Sequence, residues 1–169
     1  MEYPLKRLRT DGIEAAIQKA DKYRELNQPA EAESICRDVL AVDAEHQLAL
    51  RVLGLALTDQ FRGAAGARFA ETQAVFGRLT DPYERAFYTG LAYERQAKAQ
   101  LALRIPVRSL LPLLDQALAR YAEAERLRPA GNDDAVLRWN SCVRVLQELD
   151  TVEGEAGDDW QTDSAPHRR

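Results

Sequence analysis

Long apolar runs, histidine, cysteine and concentrated positive charge are all scarce in this 169-residue chain, and each scarcity excludes something. The longest apolar stretch, LALRVLGLAL at 48–57, falls well short of the ~20 residues a bilayer span requires and is interrupted by Arg51, so no membrane span is expected. The N-terminal MEYPLKRLRT has no apolar core of the kind a secretory signal carries. Only two cysteines occur, Cys36 and Cys142, far apart and each within an apolar helical stripe. They read as buried free thiols suited to a reducing cytoplasm, not as a disulfide scaffold. The two histidines, His46 in a turn and His167 near the end, have no partner at metal-ligand or catalytic-triad spacing. FRGAAGAR lacks both the Lys-Ser/Thr and the preceding strand of a phosphate loop. Asp133-Asp134 and Asp158-Asp159 read as a helix cap and a solvated run. With no convergent set of titratable groups, neither an enzyme nor a cofactor or metal is expected.

Charge is unevenly placed. Between Gln147 and Ala165 there are seven acids and no Lys or Arg, whereas residues 1–146 hold 20 acids against 21 bases. The net charge of −4 therefore belongs to the C-terminal segment. A near-neutral body lacks the concentrated basic face that releases phosphate counterions, so nucleic acid is not an expected partner. Lys6, Arg7 and Arg9 form too short a cluster to change that.

What is abundant is Ala, Leu, Glu and Arg at helical spacing. A first helix should start at Asp11, where DGIE offers a capping box, and carry Ile13, Ala16, Ile17, Ala20 and Tyr23 on one side before ending at ELNQP. A second, AEAESICRDVLAV, follows at once. The third spans about 47–60, with Leu50, Leu53, Gly54 and Leu57 inward. The fourth spans about 67–79, with a small face of Ala67, Ala70, Ala74 and Gly77. DPYE starts a fifth, with Asp81 as cap and Pro82 at the first helical position, and RIPVRS ends it near Ile105. A sixth runs from about Ser109 to Leu127, and a seventh from about Asp134 to Leu149 carries Val136, Trp139, Val143 and Leu146. Residues 1–10 form an N-terminal extension, and the polar, acidic 150–169 reads as a disordered tail.

Ala20 and Gly54 stand 34 residues apart, and Gly90 follows after 36 more, with Tyr23, Leu57 and Tyr93 in register three residues later. In the second helices the pairs Ala32/Val39, Ala70/Gly77 and Ala117/Ala124 each keep a spacing of seven. This pattern resembles the tetratricopeptide repeat, with repeats at about 13–46, 47–82 and 83–131 and a capping helix at 134–149. The chain departs from it at Ala44, where the family usually has proline, at FRGAAG, and by an insertion in the third repeat that should make a projecting hairpin of about 97–112. The small residue of the capping helix is Ser141 or Cys142.

The resemblance implies an all-α, right-handed superhelix of about three helical hairpins plus a C-terminal capping helix. It also implies a concave groove lined by the first helices: Ile17, Asp21, Arg24 and Glu25, then Arg51, Leu55, Thr58 and Asp59, then Phe87, Leu91, Glu94 and Arg95. Leu55 and Leu91 should face each other at about 10 Å, one helix-packing distance. The chaperone-carboxylate grip known in part of the family is not expected, because Asp21 and Leu55 stand where its asparagines would be. The expected function is a non-catalytic cytoplasmic adaptor that takes a peptide or helix of a partner protein. The alternatives are a self-assembling structural module, a homo-oligomer formed through the capping helix or the projecting hairpin, and a small secretion-type chaperone; the chain is expected to be a monomer or a homodimer.

Overall fold

In the computed structural model, residues 3–62 and 65–158 are described, with side chains excepted at 65 and 150–158. Among them there are seven α-helices and no strand: α1 Ile13–Glu25, α2 Pro29–Leu40, α3 Gln47–Thr58, α4 Ala65–Gly77, α5 Pro82–Ala102, α6 Leu111–Leu127 and α7 Asp134–Asp158. Each helix packs on the next, and in addition α1 touches α3, α3 touches α5, and α5 touches α7. The odd helices thus form one continuous layer.

Local chemistry sets the helix ends. At the close of α1, Asn27 takes a left-handed φ of 58° while the Gln28 N–H donates to the Tyr23 carbonyl at 2.8 Å. The same motif ends α5: Arg104 has φ 57° and the Ile105 N–H donates to the Gln100 carbonyl. Asp81 caps α5 as expected, accepting the Glu84 N–H at 2.9 Å. His46 plays the same part for α3, its Nδ1 accepting the Ala49 N–H. The expected box at Asp11 does not form. Thr10–Gly12 make a 3-10 turn with no side-chain cap, and Asp11 pairs with Arg9 instead. At α7 it is Asn132, not an aspartate, whose side chain accepts the Asp134 N–H. That helix also runs past Leu149 to Asp158, so the first part of the expected tail is helical backbone. The remainder of that tail, with Trp160, lies outside the described residues.

Helix crossings explain the small residues. The ring of fully buried Phe76 lies against Gly54 so closely that a Cβ there would fall 2.6 Å from Cδ1. Tyr121 lies against Gly90 in the same way, 3.0 Å from where a Cβ would be. Their counterparts in the first hairpin are Ala20 and Cys36, both fully buried in one cluster. The central residue of each second helix is flanked four before and three after: Ala32 and Val39, Thr72 and Leu79, Ala117 and Ala124, all buried. For α4 this corrects the sequence reading. Ala67, Ala70, Ala74 and Gly77 face solvent, because Phe69, Thr72, Val75, Phe76 and Leu79 make the packed side. In α7 the small position is Cys142, fully buried, and not Ser141.

The third hairpin is lengthened, as its insertion requires, but it does not stand free. Ala97, Ala99, Leu110 and Leu114 are buried, and Leu146 and Leu149 of α7 pack on the same cluster as Ala97 and Leu114. Trp139 belongs to that cluster too and is half-buried. Only the tip around 103–111 is left uncovered.

Candidate functional site

The face built by the odd helices carries most of the residues singled out from the sequence, but their roles divide. Four of them are buried, Thr58 among them at 4% exposed. Ile17 is 1% exposed, because it shares a stripe with Ile13 and Ala20 that packs into the core around α2. Leu91 is 3% exposed and Glu94 1%. These two lie one helical turn apart on α5, and with Leu91 buried the expected Leu55–Leu91 pair is not available to a ligand.

The charged residues are mostly engaged with one another across repeats. The Arg24 guanidinium on α1 donates to Asp59 at the end of α3, at 3.0 Å, and lies 3.6 Å from Asp21. Arg95 on α5 reaches the other oxygen of Asp59 and donates to the Thr58 hydroxyl at 2.6 Å. Asp59 therefore ties three consecutive first helices together. One end of α3 is held by this triad and the other by Arg51, which pairs with Glu84 at 2.7 Å. Glu25 pairs locally with Lys22. The Arg24–Asp59–Arg95 set, partly shielded from water and shared among several charges, holds geometry better than a lone surface pair such as Lys22–Glu25 does.

Glu94 is the most deeply placed of these groups. Its carboxylate accepts the Tyr121 hydroxyl at 2.6 Å and pairs with Lys98 at 2.5 Å and Arg138 of α7 at 3.5 Å. Burial, followed by the charge and hydrogen bond of Glu94, raises the Tyr121 hydroxyl well above its ordinary value, which keeps it a donor. Burial likewise pushes the Cys36 and Cys142 thiols up to about 12.

Of the apolar residues singled out, Leu55 and Phe87 are the ones left half-buried: Leu55 packs on the core cluster built mainly from α1–α4, and Phe87 is stacked on Tyr83 at 5.8 Å and edge-on to Tyr88 at 5.2 Å. Asp21 and Arg51 are each partly exposed. At the C-terminal end of α3 a polar recess of about 200 Å³ opens between Thr58, Asp59, Arg62, Arg95 and Lys98.

Sequence reading missed several members of this framework. Glu84 was legible only as a cap partner, and Lys98 and Arg138 gave no signal of their own. A second network, on the opposite side, was also missed: Glu33 of α2 accepts from Arg37 at 2.7 Å, Arg68 at 2.7 and 2.8 Å and Gln60 at 2.8 Å, while Arg37 reaches Glu71 at 2.6 Å. Burial alone would raise the Glu33 carboxyl. The hydrogen bonds from Arg37, Arg68 and Gln60, with the charge of Arg68, outweigh it and hold that carboxyl below its usual range. A signal for these links did exist. Arg24–Asp59, Glu33–Arg68, Arg37–Glu71 and Arg51–Glu84 all join residues 33 to 35 apart, the period already read from the small residues.

Among the described residues no group of His, Cys, Asp and Glu is arranged to hold a metal ion, and no helix is long and apolar enough to cross a membrane. No family model matches the chain, and no characterised protein matches it.

Proposed function

We propose that this chain is a short tetratricopeptide-type solenoid, a right-handed superhelix of three hairpins and a capping helix. It acts without catalysis as a cytoplasmic adaptor that holds a peptide or helix of another protein against its odd-helix face. The observation that carries this reading is the cross-repeat bonding of that face. Arg24, Asp59, Arg95, Arg51 and Glu84 fix the relative positions of α1, α3 and α5, so the half-buried Leu55 on α3 and Phe87 on α5 are held in place and little ordering is needed on binding. An apolar side chain of the ligand seats on Leu55 and Phe87. An acidic side chain of the ligand fits the recess beside Arg62, Arg95 and Lys98.

Selection from a random displayed-peptide library tests this directly, with the Leu55→Asp variant as the counter-selection. Leu55 is only half-buried, so the variant should keep its helicity. Enriched peptides should be acidic and apolar and should bind the unaltered chain but not the variant. Peptides that bind both equally would move the site elsewhere.

A second reading rests on the ends of the stack. Leu137 of α7 is 64% exposed, and at the other end Leu8, Ala15, Ala16 and Ile35 line a recess of about 330 Å³. These are the surfaces that self-association would cover. Mass in solution across a concentration series separates a monomeric adaptor from a homodimer.

A further inference from the structure

The recess at the C-terminal end of α3 is more cationic than a single carboxylate requires. Arg62, Arg95 and Lys98 line it against one acid, Asp59, and Phe61 and Ala99, 1% and 5% exposed, make its apolar part. Asp59 has both oxygens engaged, Oδ2 by Arg24 and Oδ1 by Arg95, and Arg24 also lies 3.6 Å from Asp21. Glu94 is buried and shared by Lys98 and Arg138. With Arg62 counted, the recess and these partners hold five cations against three acids, an excess of two.

Donors are left over as well as charge. Arg62 is exposed and makes no ion pair or side-chain hydrogen bond among the described residues, so its whole guanidinium fork faces outward unspent. Arg95 uses only Nη1, on Asp59 and Thr58, which leaves Nε and Nη2. At about 200 Å³ the recess falls below the ~300 Å³ at which sites for whole small molecules begin, so it suits one small group at the end of a larger ligand. Two guanidinium forks beside an ammonium, with an excess of two charges, match a dianion with three acceptor oxygens better than a carboxylate with two.

We propose that this recess is a phosphoryl site, and that its occupant is a phosphorylated serine or threonine of the peptide held in the groove. The phosphoryl oxygens accept from the Arg62 fork, from the unspent nitrogens of Arg95 and from the Lys98 ammonium, while the Cβ of the residue that carries them rests on Phe61 and Ala99. Asp59, neutralised from both sides, positions Arg95 and does not repel the ligand. The inference rests on the groove reading for the peptide and names the acidic group that the recess selects; capture of the partner then depends on its phosphorylation.

Blocked amino acids separate the chemistries: N-acetyl-phosphoserine amide, N-acetyl-aspartate amide and N-acetyl-serine amide, with inorganic phosphate beside them. At about pH 7.5 and constant ionic strength, above the second phosphate pKa of about 6, the phosphoserine compound should give saturable shifts at the Nε–H groups of Arg62 and Arg95 in the nitrogen-15-labelled chain. It should bind about tenfold tighter than the aspartate compound, for the further charge-assisted bonds it makes. Arg62→Gln, at an exposed and unpaired position, should keep the helicity and abolish that advantage; Arg62→Lys, which keeps the charge but not the fork, should retain part of it. Equal affinity for phosphoserine and aspartate, shifts away from Arg62 and Arg95, or an advantage that survives Arg62→Gln would each overturn the proposal. Saturable binding of inorganic phosphate with none of the phosphoserine compound would mark a site for a free anion and overturn it as well. The two readings fail separately. A library without Leu55-dependent peptides sinks the groove reading and leaves these titrations as they are, whereas Leu55-dependent peptides that do not tighten when phosphoserine replaces their acidic residue sink this one.

Discussion

Substituting alanine for glycine at three positions separates packing from helix propensity. Gly54, Gly90 and Gly77 are all helical, and the change brings a propensity gain of up to about 1 kcal/mol at the interior positions 54 and 90 and less at Gly77, the last residue of α4. The spaces differ. At Gly77 a Cβ meets nothing within 4 Å, so the substitution should be neutral to stabilising by a few tenths of a kcal/mol. At Gly90 it meets Tyr121 Cδ1 and Cε1 at 3.0 Å and Arg120 Cβ at 3.2 Å, a few tenths of an ångström too close. Tyr121 cannot swing away, because it is fully buried and its hydroxyl is bonded to Glu94. The overpacking cost of about 1–2 kcal/mol should slightly exceed the propensity gain. At Gly54 a Cβ would lie inside the Phe76 ring, 2.5 Å from Cζ and 2.6 Å from Cδ1. That ring is fully buried and stacked on Tyr88 at 5.4 Å. There the cost should reach about 3 kcal/mol or more, leaving a net loss of about 2 kcal/mol. Urea unfolding followed by circular dichroism gives all three values. For a chain of this size about 2 kcal/mol corresponds to a drop in Tm of roughly 4–8 °C. Equal effects at Gly54 and Gly77 would refute the crossing assigned to Gly54 and Phe76.

Other variants address the polar framework. Tyr121→Phe removes one donor from the buried Glu94 carboxylate and should cost about 1–3 kcal/mol, seen in the same unfolding assay; no loss would mean the bond is not made. Glu33 has a lowered folded-state pKa, so its stabilisation is fully present above the ordinary carboxylate value and is lost as pH falls through the lowered one. Glu33→Gln should therefore flatten the acid side of the stability–pH curve, and a parallel curve would show that Glu33 is not coupled to folding. Cys36 and Cys142, with thiols pushed up to about 12, should resist a thiol reagent at pH 8 in the native chain and react on unfolding; fast native labelling would contradict their burial.

The helices were legible because apolar residues recur at 3- and 4-residue intervals and because Pro29, Asn27, Asp81 and Pro82 punctuate them. The crossings at Ala20, Gly54, Gly90, Ala117 and Ala124 were legible for a related reason, since close backbone approach admits only small side chains. The same reasoning failed in α4. It sought a small residue on both helices of the pair, whereas Gly54 alone provides the room and Phe76 fills it. Once Phe76 is the inward residue, Ala70 and Gly77 rotate to the solvent side. For the groove, the sequence gives which helix a residue stands on but not how far the next helix leans over it. Glu94 was lost to the core where α7 approaches α5, through Arg138 on its carboxylate and Lys98 on Ser141, contacts that depend on side-chain reach and not on periodicity; Leu91, one turn earlier, is buried as well. Pairing of Arg24 with Asp59 did carry a periodic signal in its 35-residue spacing, but spacing alone does not show that both side chains turn toward each other.

The central claim is that the odd-helix face receives the ligand. Amide chemical-shift mapping with an acidic, apolar peptide from the library selection tests it most directly. Shifts should cluster at Asp21, Arg51, Leu55, Asp59 and Phe87 on α1, α3 and α5 and leave the solvent side of α4, at Ala70 and Ala74, unchanged. Shifts centred on the 103–111 tip, on Leu137, or on the even helices would contradict it.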